Sequence, residues 1–295
     1  MCLVIIAMSD QAEALRQKIL NKHQPNVAKT ISIISGKGGV GKSNFTLNFA
    51  ITLSKLGKKV LIFDLDIGMG SIDILMGKSP KYTIAHFFES KINLHHIIEK
   101  GPENISFIAG GSGLNHFISI SNEIADQFLK ELEILTKEYD YILFDMGAGM
   151  SETSIKFILS TQDVFVIITP EPTSIMDAYS AVKYLHLQGA PLTYYLVGNR
   201  MKNKNEAHLT LNKMVQTMDR FLNEKAEVLG FLFDDPIVSE AVMRQVPFTI
   251  YKPKSRVTFH LREIAEKYIQ KGEPINLLNK NRSFINKLSR LLFKR

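Results

Sequence analysis

The chain is 295 residues long, 45% hydrophobic and 22% charged, an ordinary globular composition with enough apolar material for one sizeable core. No apolar run approaches the ~18 residues that a transmembrane helix needs, and one cysteine, Cys2, excludes an internal disulfide framework and a cysteine-held iron–sulfur cluster. The net charge is +7, but residues 280–295 alone carry Lys280, Arg282, Lys287, Arg290, Lys294 and Arg295 and no acid, so the basicity belongs to a tail and not to a domain-wide nucleic-acid footprint.

Met1 to Ala7 are apolar but too few, and they lack the charged start of a signal peptide. Met8-Ser9-Asp10 reads as a second, better beginning. Ser9 can cap a helix running from Asp10 to Asn21, which Pro25-Asn26 breaks from the first strand. Its apolar face, Ala12, Leu15 and Ile19, is narrow for docking on a domain but adequate for lying in a partner's groove. Gln11 and Arg16 add chemistry, because a glutamine can position attacking water in a GTPase and an arginine can neutralise phosphate charge. Residues 1–26 are read as an appended helix and linker.

The β-branched run Thr30 to Ser35 predicts a buried strand. It leads into Gly36-Lys37-Gly38-Gly39-Val40-Gly41-Lys42-Ser43, and Asn44 opens an amphipathic helix that reaches Leu53. Strand, glycine-rich loop and helix N-terminus are the context of a phosphate cradle. The glycines let consecutive N–H groups converge on phosphate oxygens, and the helix dipole adds favourable potential at the same point. Lys42 is expected to reach the β- and γ-phosphates, and the Ser43 hydroxyl to ligate Mg²⁺. Lys37 occupies a position that the motif leaves free.

Apolar, β-rich runs then recur at residues 60–63, 105–108, 141–144, 164–168, 194–197 and 228–232, alternating with helical patterns. Continuous apolar strands with helical crossovers predict an α/β fold, a mainly parallel twisted sheet covered on both faces, as one domain over residues 27–272. Ligands of such sheets sit at the strands' carboxyl ends, where the glycine loop lies. Two strands run there into carboxylates: Phe63 into Asp64 and Asp66, and Phe144 into Asp145. Aspartates so placed suit a Mg²⁺ contact, and hydrolysis needs one further group to orient water.

Lys37 within Gly36-Lys37-Gly38-Gly39-Val40-Gly41-Lys42 resembles the signature, or deviant, Walker A of the MinD/ParA family of P-loop ATPases. Residues 64–77 look like the MinD switch I segment, and Asp145 through Gly149 like switch II. The resemblance implies that Lys37 reaches across a nucleotide-sandwich dimer to the partner's phosphates. It also implies that Asp66 orients the attacking water, that Asp64 supports the metal side, and that Asp145 stands behind Mg²⁺. Thr169-Pro170-Glu171-Pro172 resembles the segment whose glutamate contacts the opposing nucleotide. Asn199-Arg200 resembles the base-recognition dipeptide and Asp234-Asp235 a second purine-side contact, which implies ATP as the nucleotide. Two positions depart from the pattern: Ser71 stands where MinD has asparagine, and Phe233 where a proline precedes the two aspartates.

In the tail, residues 273–295, Phe284, Ile285, Leu288, Leu291 and Leu292 share one helical stripe flanked by cations. That is the composition of an interfacial helix for an anionic membrane surface, each cation contributing about 1 kcal/mol. One tail binds marginally; two on an ATP-bound dimer gain effective concentration. The same pattern also fits a basic helix packed on its own domain. Asp10-Gln11-Ala12-x-x-Leu15-Arg16 resembles the activator motif of FlhG-type relatives, which stimulates the signal-recognition-type GTPase FlhF. The resemblance as a whole implies a cytoplasmic, peripherally membrane-associated ATPase that forms a homodimer with ATP and Mg²⁺. Its partners would be an FlhF-type GTPase and flagellar C-ring switch proteins, without nucleic acid. The rivals are a division-site MinD, which begins almost directly with its first strand, a ParA-like DNA-segregation ATPase, which needs a basic patch on the folded domain, and a biosynthetic amidoligase.

Overall fold

In the computed structural model, eight strands among the described residues form one sheet. They are β1 (Lys29–Ile34), β2 (Val60–Leu65), β3 (Ile98–Lys100), β4 (Ser106–Ile108), β5 (Tyr141–Met146), β6 (Asp163–Ile168), β7 (Thr193–Met201) and β8 (Ala226–Phe233), in the order β3-β4-β2-β5-β1-β6-β7-β8. The structure describes residues 27–66, 71–90, 92–111, 121–147, 149–271 and 277–293. The Asp10, Gln11, Leu15 and Arg16 motif lies outside them, as do residues 67–70 of the switch I segment and Ala148 of switch II. Every neighbouring pair is parallel except β3 with β4. Sequence reading finds no strand at β3, because three half-exposed residues, Ile98-Glu99-Lys100, carry no periodicity.

Parallel pairing requires long crossovers, and helices supply them. The longer ones are α1 (Lys42–Lys55), α2 (Asn122–Glu138), α3 (Glu152–Ser160), α4 (Pro172–Leu187), α5 (Lys204–Leu222), α6 (Pro236–Met243), α7 (Arg256–Lys271) and α8 (Leu277–Phe293). Side chains alternate across each strand, so the sheet separates two cores. Ile142, Phe144 and Met146 of β5 join the core beneath α2, α3, α4 and α5. Tyr141 and Leu143 of the same strand join the core beneath α1 and α7. Phe49 of α1, Phe165 of β6 and Tyr268 of α7 knit the second core, their ring centroids 4.9 to 6.1 Å apart. Side-chain caps start several helices: Ser121 accepts from the Ile124 N–H at α2, Ser151 from Ser154 at α3, and Asn203 from Glu206 at α5.

The tail helix α8 does not stand apart from the domain. It packs on α3 and α2, with Phe284 1% and Leu288 0% exposed. Ile285, Leu291 and Leu292 are half-buried against the same core, and the Phe284 ring lies 5.5 Å from that of Phe144 in β5. The sequence reading separates this helix at residue 273; the structure makes its stripe a wall of the core. The physical reason is plain. An apolar stripe wide enough for lipid is wide enough for a neighbouring helix pair, and burying a Phe or Leu stabilises by about 1.5–3 kcal/mol each.

Candidate nucleotide site

The glycine loop joins β1 to α1 at the carboxyl end of the sheet. Gly39 (φ 77°) and Gly41 (φ 90°) are left-handed, a conformation that a side chain disfavours. Gly41 is the N-cap of α1, so the loop's N–H groups and the helix N-terminus face one point. Gly36 is required for another reason: a Cβ there would stand 2.0 Å from the Asp177 backbone carbon in α4. Asn199, at the end of β7, donates through Nδ2 to the Val40 carbonyl at 2.7 Å and so ties the loop from the far side. These groups open onto a cleft of about 1210 Å³, also lined by Asp66, Arg200 and Asp234.

Lys42 is almost fully buried and bridges the loop to β5. Its Nζ lies 2.9 Å from Asp145 Oδ1 and 3.3 Å from Ser43 Oγ. Thr46, one turn along α1, donates to the same Asp145 oxygen at 2.9 Å. The other oxygen, Asp145 Oδ2, is buried with no hydrogen-bond partner among the described residues. A buried carboxylate oxygen left open, with a serine hydroxyl against the same lysine, suits a hard divalent cation, which prefers oxygen ligands, so Ser43 and Asp145 fit Mg²⁺. A cradle of N–H groups with Lys42 at its base fits a nucleotide's phosphates.

Asp64 sits next to Asp145, paired with it in register across β2 and β5. Burial, and then the neighbouring Asp145 charge, push its pKa up to about 7 against the pull of three backbone N–H donors. Those donors are Asp66 at 2.9 Å on Oδ1, and Ser71 at 3.0 Å and Ile72 at 3.3 Å on Oδ2. Asp66 opens into the cleft. Partial burial raises its carboxyl above the usual range, with Lys42 opposing and Asp145 adding to the shift. A raised carboxylate is the better base toward water.

The signature lysine points elsewhere. Lys37 Nζ is 2.5 Å from Glu171 Oε2 and 3.1 Å from Thr173 Oγ1, both on the same chain, at the start of α4. That contact holds the Glu171 carboxyl below its ordinary value. Arg200 stands beside Asn199 with φ 56°, a strained backbone for a non-glycine residue at the cleft wall. Asp235 is engaged as the N-cap of α6, accepting from Ile237 at 3.0 Å, while the Asp234 N–H donates to the Met201 carbonyl at 3.0 Å. The cleft thus gathers most of the residues predicted on the core, from Lys37 to Asn44 through Asp66, Glu171, Asn199 and Arg200 to Asp234 and Asp235, with Asp64 and Asp145 behind it; Gly36 and Val40 face the protein and not the cleft. The tail residues Phe284, Ile285, Leu288, Leu291 and Leu292 belong instead to the core under α8.

Sequence reasoning missed Thr46, Thr173 and Glu206. The spacing of Thr46 from Lys42, one helical turn, was available as a signal. Thr173 and Glu206 had none: the first is met only through Lys37, and the second lines the cleft while accepting from the Lys202 N–H at 2.8 Å.

The chain matches the ParA family, described as "NUBPL iron-transfer P-loop NTPase", over residues 26–269. The antiactivator FleN of Pseudomonas aeruginosa is 27% identical over 260 residues, 88% of this chain and 93% of that protein. The flagellum site-determining protein YlxH of Helicobacter pylori is 36% identical over 189 residues, 64% of this chain and 59% of that protein. Among solved structures, the septum site-determining protein MinD of Pyrococcus horikoshii, complexed with Mg-ADP, superposes with a TM-score of 0.65 at 22% identity, covering 83% of this chain and 98% of that one. At that identity the likeness speaks for the fold.

Proposed function

The chain belongs to the ParA family of P-loop NTPases, and from that premise we propose that it is a Mg²⁺-dependent ATPase that dimerises with ATP, binds membrane reversibly and acts in flagellar number and placement. The observation that carries hydrolysis is the cluster at the loop: Lys42 and Thr46 on one oxygen of Asp145, the other oxygen open, and Asp66 facing the same cleft. In this reading the loop N–H groups and Lys42 hold the phosphates. Asp66 orients the attacking water and accepts its proton as the water oxygen bonds to the γ-phosphorus and the bond from that phosphorus to the β,γ-bridging oxygen breaks, releasing ADP and phosphate. Ser43 and Asp145 would hold Mg²⁺, which would supply neutralisation of charge on the phosphates. Asn199 and Arg200 face the base, with Asp234 and Asp235 on its other edge.

The docked tail gives the membrane step a threshold. Undocking Phe284 and Leu288 costs about 3–6 kcal/mol on transfer values, close to the ≈ 5.5 kcal/mol that moves a two-state equilibrium from 1:99 to 99:1. A single tail with marginal lipid affinity does not meet that cost; in a dimer each tail incurs it, but the second tail inserts as an intramolecular event at high effective concentration, and that is the dimer's advantage. This supports coupling of membrane residence to nucleotide. No helix among the described residues is long and apolar enough to cross a membrane.

YlxH favours a flagellar role, and the FlhG-type resemblance of Asp10, Gln11, Leu15 and Arg16 adds an FlhF-type GTPase and C-ring switch proteins as partners. The second reading is septum placement, which the septum site-determining protein MinD of Bacillus subtilis, 26% identical over 85% of this chain, supports. The iron-transfer label of the family carries over poorly, since one cysteine holds no cluster. Asp66→Ala is the test of the chemistry. The variant keeps ATP and Mg²⁺ affinity while turnover falls about 10²–10⁴-fold, and it accumulates as a dimer in ultracentrifugation. Wild-type turnover removes Asp66 from the reaction.

A further inference from the structure

Asp64 and Asp145 lie side by side at the ends of adjacent parallel strands, yet their oxygens have different company. Asp145 keeps one oxygen open. Asp64 keeps neither: Oδ1 accepts from the Asp66 N–H, and Oδ2 from those of Ser71 and Ile72. One fully buried carboxylate therefore pins Asp66 on one side and Ser71–Ile72 on the other. A cation drawing on either oxygen would have to compete with these charge-assisted bonds.

The surroundings leave Asp66 little freedom. A Cβ on Gly147 would stand 2.8 Å from Asp66 Oδ1, and one on Gly110 would stand 3.2 Å from Asp64 Cγ and 3.1 Å from the Asp66 carbonyl oxygen. The glycine following β5 thus forms a flat wall against the Asp66 carboxylate, and Gly110 forms one against Asp64. Backbone bonds from below and a glycine wall from the side set where the carboxylate stands.

We propose that Asp64 is a positioning residue, which fixes Asp66 and Ser71–Ile72 by their backbone N–H groups and thereby places the Asp66 carboxylate, and that it is not a ligand on the metal side. The inference rests on the reading of Asp66 as the water-orienting group. It assigns the two strand-end aspartates separate duties: Asp145 toward lysine and cation, Asp64 toward the backbone that carries Asp66.

Asp64→Asn tests it, because an amide presents an NH₂ where an acceptor is needed and must forfeit one side of the fan. In the nucleotide-free protein, the amides on the forfeited side, either Asp66 or Ser71 with Ile72, should exchange about tenfold faster or more by NMR, with the core strands unchanged. In turnover, kcat should fall about tenfold or more, the half-saturating Mg²⁺ concentration should stay within about twofold, and no further loss should follow in an Asp66→Ala background. A tenfold rise in the Mg²⁺ requirement, or losses that multiply in the double variant, overturns the assignment. Wild-type turnover in Asp66→Ala overturns the hydrolysis reading and this inference together; multiplying losses with Asp66→Ala itself impaired overturn this one alone. If Asp64→Asn does not fold, Gly110→Ala, whose Cβ would press on the Asp64 carboxylate, takes its place in the cycle. Its effect on kcat must vanish when Asp66 is alanine, and losses that multiply count against the proposal.

Discussion

Phe144 and Asp145 are consecutive residues of β5, and they serve two regions built on opposite principles. Asp145 looks toward α1, where Lys42, Thr46 and Ser43 form a buried polar cluster around one carboxylate. Phe144 looks toward α3 and α8, where Phe284 and Leu288 close an apolar core. The first region is specified by direction: each hydrogen bond has one partner and one geometry. The second is specified by area alone, and area is a promiscuous signal. The polar cluster commits its residues to one arrangement, while the tail stripe can be satisfied by a protein groove or by a lipid surface.

The largest expected effect lies on the directional side. Lys42→Ala should lower ATP affinity at least about 100-fold, since it removes the buried cation of the cradle. It should also destabilise the nucleotide-free protein by about 3–5 kcal/mol, because Asp145 is left as an uncompensated buried charge. Isothermal titration and urea unfolding measure the two, and unchanged stability would mean that water reaches Asp145 freely. On the apolar side, Phe284→Ala should cost about 3–5 kcal/mol of unfolding free energy, the toll of a large-to-small change in a core. A change within about 0.5 kcal/mol, the range of a surface site, would separate the tail from the domain. The same comparison sharpens with vesicles, where the wild-type chain should sediment with anionic lipid only when ATP is present.

Smaller effects belong to the exposed rim between the two. Lys37→Ala should leave ATP affinity within about twofold, yet abolish the ATP-dependent dimer in ultracentrifugation. It should also raise the Glu171 titration midpoint toward the ordinary carboxylate value, read by carbon NMR, because the group that depresses it is gone. The sign comes from linkage: a depressed carboxylate keeps its ion pair above the usual carboxylate range and loses it as pH falls through its own midpoint. An unmoved midpoint would show that the Lys37–Glu171 contact does not persist in solution.

Legibility from sequence obeys the same divide. The loop Gly36 to Ser43 and the strand-end aspartates Asp64, Asp66 and Asp145 were readable because each residue type answers a directional demand at a fixed spacing. The parallel sheet was readable because its strands are apolar on both faces. The destination of α8 was not, since Phe284 and Leu288 present the same stripe to a groove or to a bilayer. Nor could the sequence say that Lys37 meets Glu171 and Thr173 within its own chain, a contact set by how far α4 approaches the loop. The three backbone bonds of Asp64 were invisible for a simpler reason: backbone N–H groups carry no sequence signature.

The alternation of β5 has a consequence for how this gene segment tolerates length changes. Tyr141, Leu143 and Asp145 face one side, and Ile142, Phe144 and Met146 the other. Exchanging one apolar residue for another leaves that parity untouched. Deleting or inserting a single codon between Tyr141 and Phe144 inverts it, presenting a phenylalanine or methionine to Lys42 and a carboxylate to the rings of Phe157 and Phe284. The strand works as a two-letter reading frame. Point changes drift within it, and a one-residue frameshift of the pleat exchanges the phosphate end for the greasy one.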